Sequence, residues 1–161
     1  ILRVFGNRKD LTCLELGSCR GDSTRVFSEC FKKVYSFDRL EENIEYTKKV
    51  CSDVDNVEVF KSDVYGSNFT IPDGIDIAFV EAGHATDLIK FDIQRLLEKN
   101  KNMILIFDDY GQPDGVIKNA IGDSNLTVSR HIGEYNGFTC TSSSGREIKF
   151  VTREGVICNM D

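Results

Sequence analysis

Two apolar runs of the chain end in residues able to do proton chemistry. IDIAFV (75–80) gives way to Glu81, Ala82, Gly83 and His84, and MILIF (103–107) gives way to Asp108, Asp109 and Tyr110. An imidazole titrates near neutrality and can take the proton of an alcohol. Carboxylates can hold a hard cation or balance another positive charge. The same residue types also suit plain solvation where a buried strand emerges, and Asp109 could cap a turn while Tyr110 merely packs. The other histidine, His131, has no comparable setting and reads as a strand residue.

The elements that must position these groups alternate along the chain. LTCLEL (11–16), VYSF (34–37), VEVFKS (57–62), IDIAFV and MILIF read as strands. Helical spacing falls between them at 23–31, at 41–52 (Ile44, Tyr46, Thr47, Val50 and Cys51 near one face) and at 86–99 (Leu88, Ile89, Ile93, Leu96, Leu97). A shorter helix is predicted over 113–121, opening at Pro113, where the missing N–H is harmless. Such alternation predicts an α/β fold of three layers, Rossmann-like, with a mostly parallel sheet. The last forty residues differ: LTVSRHIG (126–133), a Gly- and Ser-rich stretch (134–145) and EIKFVTREGVIC (147–158) predict strands closing the sheet as an antiparallel hairpin, seven strands in all.

ELGSCRG (15–21) joins the first strand to the first helix. Gly17 and Gly21 allow a tight turn and leave room for a ligand beside the helix's unpaired N–H groups. Asp38 ends the second strand where an acid in such a sheet binds the two hydroxyls of a ribose, its bland alternative being a helix cap. A nucleoside cofactor fits both features. A dinucleotide fold prefers G-x-G-x-x-G, and the second glycine is Cys19 here. Glu15 would also face the dinucleotide's phosphates, whereas S-adenosylmethionine has none and carries a sulfonium and an amine. The charges favour S-adenosylmethionine, with an NAD(P)-dependent oxidoreductase or a non-catalytic scaffold domain as the alternatives.

ELGSCRG, FD at 37–38, SD at 62–63, FVEAGH and IFDDY, in this order over residues 11–122, resemble the class I S-adenosylmethionine-dependent methyltransferases. More narrowly, they resemble the metal-dependent O-methyltransferases of sugars and sugar-bearing natural products, whose fourth strand ends F-I-D-G-x-H and whose fifth ends D-D or H-D-Y. The resemblance implies that Glu15, Gly17, Ser18 and Gly21 line the methionine end of the cofactor. It implies that Asp38, flanked by Arg39, takes the ribose, and that Asp63 or Val64 meets the adenine. Glu81 would touch the cofactor and, with Asp108 and Asp109, hold a divalent metal, Mg or Mn, that orients and acidifies the acceptor hydroxyl. His84 would be the base, with Asp108 as a second catalytic group. Glu81 stands where that family has Asp, one methylene shorter.

Composition narrows the partners. The 161 residues carry 20 Lys and Arg against 26 Asp and Glu, net charge −6, with no basic block for a phosphate backbone, which argues against nucleic acid. No apolar run approaches the roughly 20 residues that span a bilayer, so no membrane partner is expected. The six cysteines include no C-x-x-C pair and read as reduced thiols rather than disulfides or a zinc site, consistent with a cytoplasmic location. The expectation is one methyltransferase domain over 1–161 acting on a small molecule or glycan. The start at Ile1 rather than Met fits a piece of a longer chain. A homo-oligomer and a fusion to a glycan-building enzyme are the further partners considered.

Overall fold

The computed structural model describes residues 1–112, 114–124, 126–134, 138–141, 147–150 and 153–159. A short helix α1 (Leu2–Phe5) precedes β1 (Arg8–Leu16), followed by α2 (Asp22–Cys30), β2 (Phe31–Asp38), α3 (Glu41–Val50) and β3 (Val57–Lys61). Then come β4 (Ile77–Val80), α4 (Thr86–Lys99), β5 (Ile104–Phe107) and α5 (Val116–Asp123), and finally β6 (Val128–Glu134), β7 (Phe138–Thr141), β8 (Glu147–Phe150) and β9 (Arg153–Cys158). Seven strands form one sheet in the order β3-β2-β1-β4-β5-β9-β6, with β9 antiparallel to both neighbours and the other pairings parallel. The sheet is the expected one.

Alternation along the strands divides the core in two. Leu14, Leu16, Ala78, Val80, Leu105 and Phe107 pack with Ile89, Ile93 and Leu96 of α4 and Ile117 and Ile121 of α5. Cys13, Val34, Ile77, Phe79, Ile106 and Ile157 point to the opposite face, beneath Phe27 and Cys30 of α2 and Phe5 of α1. Both faces are covered, so β4 is buried at all four positions and reads as a continuous apolar run. Each large side chain sealed in this way contributes about 1.5–3 kcal/mol of burial free energy. Acidic Glu41 and Glu42 in the first turn of α3 and Lys48 and Lys49 in its last turn complement the helix dipole.

Several sequence expectations shift. Tyr46 and Leu88 lie outside the core, at 44% and 38% exposure, while Asp92 of α4 is fully buried. The last helix opens at Val116 after Gly115 in the left-handed region (φ 67°), not at Pro113, which lies outside the described residues. The closing strands β6 and β9 pair antiparallel, but β7 and β8 intervene between them as a separate two-stranded sheet. Of the Gly- and Ser-rich stretch, residues 135–137 and 142–145 lie outside the described residues. Cys13, Cys30, Cys51 and Cys158 are buried free thiols, and Cys19 is an exposed one. Among the described residues no helix is long and apolar enough to cross a membrane.

Candidate functional site

The strand order reverses between β1 and β4, because the chain builds outward through β2 and β3 and then returns to the other side of β1. At such a switch point the loops leaving the carboxyl ends diverge and open a crevice. Here they enclose a hollow of about 480 Å³. Gly17 comes from the loop after β1, Asp38 and Arg39 from β2 and its end, Asp63 and Val64 from the loop after β3, and Glu81 and His84 from the loop after β4. These seven predicted site residues share one cavity.

Gly17 has φ 97°, and a Cβ there would lie 3.1 Å from Glu81 O and Ala82 N, so the β1 loop runs directly beside the β4 loop. Asp38 fixes the opposite wall. One of its oxygens accepts the Cys19 N–H and an Asn43 Nδ2–H, both at 3.0 Å, and the other accepts the Leu40 N–H at 2.9 Å. It thus ties the β1 loop to the start of α3 while lining the hollow. Asp63 Oδ1 accepts the Tyr65 N–H at 3.0 Å, and Val64, 5% exposed, joins the hollow to the core.

Three residues placed in the cofactor set do not line the hollow. Glu15 is one. Period-2 alternation sends its side chain to the α2 face, where it is fully buried and accepts hydroxyl hydrogens from Ser23, Thr24 and Ser36, each at 2.5 Å. Burial raises its pKa, the three hydroxyls oppose that rise, and the charge of Asp38 adds to it. Ser18 is 1% exposed and accepts the Thr47 Oγ1–H at 3.1 Å. Gly21 (φ 80°) packs against α3: a Cβ would fall 2.7 Å from Thr47 Cα. Glu15 ties β1 to α2 and β2, and Ser18 and Gly21 set the loop against Thr47 of α3.

The acid–base end differs from the expected metal centre. Glu81, His84 and Asp109 border a small cleft of about 50 Å³ beside the hollow. Asp109 has φ 56°, and its carboxylate accepts a Gln112 Nε2–H at 3.1 Å. Asp108 is exposed, accepts the Asp109 N–H at 2.9 Å, and lines a different cavity, of about 830 Å³, bordered by α1, α2 and β6. Among the described residues no three His, Cys, Asp or Glu side chains come together as a metal-holding group. The predicted ligand set of Glu81, Asp108 and Asp109 is therefore divided between two cavities. Adjacent residues at a strand end point to opposite sides.

Those carboxylates nevertheless act on one another. Val80 pairs with Phe107, so Glu81 and Asp108 leave neighbouring strands at the same level. Burial first, then the negative charges of Asp108, Asp109 and Glu15, push the Glu81 pKa up to about 8. Glu81 receives no hydrogen bond from the described residues. A half-buried carboxyl facing only like charge favours a positive group beside it.

Sequence reasoning also missed residues. Phe37, Asn43 and Tyr65 line the hollow, and Tyr65 Oη–H donates to Asp92 Oδ2 at 2.8 Å. The signal for the last pair was Asp92 itself, an acid spaced i, i+4 from Leu88 and Leu96, on what reads as the apolar face of α4. His131, on β6, meets Tyr110 edge-on at 5.5 Å between ring centroids.

An α/β sheet of this order, with a hollow at its switch point, is the fold of the S-adenosylmethionine-dependent methyltransferases. Among solved structures, the chain is similar to precorrin 8w decarboxylase of Methanobacterium thermoautotrophicum (TM-score 0.70, 18% identity, 99% of this chain and 87% of the other). It is also similar to an S-adenosylmethionine-dependent methyltransferase of Aquifex aeolicus (TM-score 0.62, 22% identity, 98% and 86%). A third is the N-methyltransferase NodS of Bradyrhizobium japonicum in complex with S-adenosylhomocysteine (TM-score 0.64, 12% identity, 92% and 76%). No protein-family model and no curated protein matches the sequence.

Proposed function

We propose that this chain is an S-adenosylmethionine-dependent methyltransferase whose acceptor is a hydroxyl, the sugar or glycan hydroxyl being the one the sequence resemblance implies. The observation that carries the reading is the hollow at the switch point, which joins Asp38 and Asp63 at one end to Glu81 and His84 at the other. An adenosine fits the first pair, and a sulfonium fits the second, where Glu81 has no counter-charge among the described residues. Two phosphates would be poorly received among these acids, with Arg39 the single Lys or Arg side chain lining the hollow among the described residues. That disfavours a dinucleotide.

In the proposed step the acceptor oxygen attacks the methyl carbon in line with the C–S bond. The O–C bond forms, the C–S electron pair returns to sulfur, and the hydroxyl proton passes to an imidazole nitrogen of His84. The product is neutral S-adenosylhomocysteine. Holding oxygen, carbon and sulfur collinear supplies most of the rate, and the base supplies about 10²–10⁴-fold. His84 is exposed and borders both the hollow and the cleft, within reach of an acceptor that enters from solvent. The divalent ion implied by the resemblance takes no part in this step, because its carboxylates do not converge.

Calorimetry with S-adenosylhomocysteine and with NADH tests the cofactor, and transfer of labelled methyl to glycosides and other hydroxyl compounds tests the reaction. S-adenosylhomocysteine is expected to bind and NADH not. His84→Ala is expected to lower kcat about 10²-fold or more while S-adenosylhomocysteine affinity stays within about threefold, and transfer is expected to survive a chelator. Binding of NADH alone, or full activity in His84→Ala, would overturn the reading.

A further inference from the structure

Behind the hollow lies a polar group that the proposed reaction does not use. Asp92 of α4 is fully buried. It accepts the Tyr65 hydroxyl through Oδ2 and the Arg95 guanidinium through Oδ1. Arg95 also donates to the backbone carbonyl of Val64, and its guanidinium carbon lies 5.6, 4.9 and 5.1 Å from the ring centroids of Tyr65, Phe69 and Phe91. A buried carboxylate with charged and hydroxyl donors is a high-stakes arrangement: complete, it holds its partners rigidly, and incomplete, it leaves a charge unpaired.

The position of Tyr65 gives this group a consequence. Its backbone N–H is held by Asp63, its ring lines the hollow, and its hydroxyl sits against Gly83 so closely that a Cβ on Gly83 would overlap Oη. Tyr65 therefore touches both the loop after β3 (62–66) and the loop after β4 (81–84), the first carrying Asp63 and Val64 and the second carrying Glu81 and His84.

We propose that Asp92 and Arg95 are positioning residues acting through Tyr65, which locks the loop at the nucleoside end of the hollow to the loop that carries His84. The ligand consequence rests on the cofactor reading above; the coupling of the two loops does not. Tyr65→Phe keeps the ring and removes the hydroxyl, so the hollow keeps its wall while the tie to Asp92 is lost.

The test has two arms. In ligand-free protein, amide hydrogen exchange is expected to quicken in both 62–66 and 81–84 for Tyr65→Phe and for Asp92→Asn, with α4 protected as in wild type. Loosening of one loop alone, or of neither, would overturn the proposal. In the second arm, S-adenosylhomocysteine affinity is expected to fall about tenfold in Tyr65→Phe. Gly83→Ala is expected to weaken binding and to be partly rescued by Tyr65→Phe, because the overlapping oxygen is gone. A general loss of stability would not produce that rescue, and its absence would count against the contact. If wild type fails to bind S-adenosylhomocysteine, the cofactor reading falls and the exchange arm alone decides the loop coupling.

Discussion

Glu15 on β1 and Glu81, just past the end of neighbouring β4, are both drawn out of water and both have a raised pKa, yet their surroundings treat them oppositely. Glu15 is met by three hydroxyl donors from α2 and β2. Glu81 is met by the negative charges of Asp108, Asp109 and Glu15. The first is a satisfied buried group that ties β1 to α2 and β2. The second is half-buried, borders the hollow and accepts no hydrogen bond from the described residues. Motif position does not separate the two. Donor supply does: it marks the first as structural, and on the proposed function the second is where the positively charged ligand atom would sit.

The largest expected effect would come from breaking the satisfied side. Glu15→Leu strands the buried hydroxyls of Thr24 and Ser36 and the half-buried one of Ser23 and inserts a branched side chain, and at about 1–3 kcal/mol for each buried group left unsatisfied the loss is about 2–4 kcal/mol. Urea unfolding checks this. Glu81→Gln, in the same assay at pH 8.5, is expected to hold or gain stability, since it removes a charge rather than a hydrogen-bond acceptor in use. Equal losses for both would erase the distinction between them.

A smaller effect separates the two glycines of the same loop. Gly21→Ala puts a Cβ 2.7 Å from the Thr47 backbone at a positive φ and is expected to cost about 2–3 kcal/mol, read as a lowered midpoint. Gly17→Ala meets backbone atoms at a less severe 3.1 Å and is expected to cost about 1–2 kcal/mol. Its loss of S-adenosylhomocysteine affinity should exceed that of Gly21→Ala, because Gly17 lines the hollow and Gly21 does not.

The same contrast shows what the sequence could reveal. Strand and helix types were legible because short apolar runs mark strands buried on both faces and a period of 3.6 marks the apolar face of a helix. The hollow's rim was legible because Gly17, Asp38, Asp63 and Glu81 stand at strand ends, which topology brings together. Glu15 does not line the hollow, and its position between buried Leu14 and Leu16 was visible; the conflict between an acid and a sealed position resolves only when Ser23, Thr24 and Ser36 are seen to converge on it. Asp92 was hidden for the same reason, its partner Tyr65 being 27 residues away. The metal set departs in another way. Adjacency of strand ends was right, but consecutive residues Asp108 and Asp109 point into separate cavities.

The smallest effect is the most specific to Glu81. Its folded pKa, about 8, lies above the ordinary 4.5. The stability it lends is therefore fully present below pH 4.5 and is lost as pH rises through about 8, an amplitude on the order of 1–3 kcal/mol after screening. A ligand that brings a positive charge to the carboxyl reverses the preference and draws the proton off. S-adenosylmethionine carries a sulfonium and S-adenosylhomocysteine a neutral thioether, while the rest of the two molecules is the same. The ratio of their affinities should then climb with pH between 6 and 9, by about three- to tenfold, equivalent to about 0.7–1.4 kcal/mol. Calorimetry in buffers of different ionisation enthalpy should detect a proton released by S-adenosylmethionine below pH 8 and less by S-adenosylhomocysteine. Glu81→Gln should flatten the pH dependence and equalise the proton counts. A ratio that stays level across this range in the wild-type protein would mean that the sulfonium does not sit beside Glu81, and the contrast with Glu15 would lose its functional half.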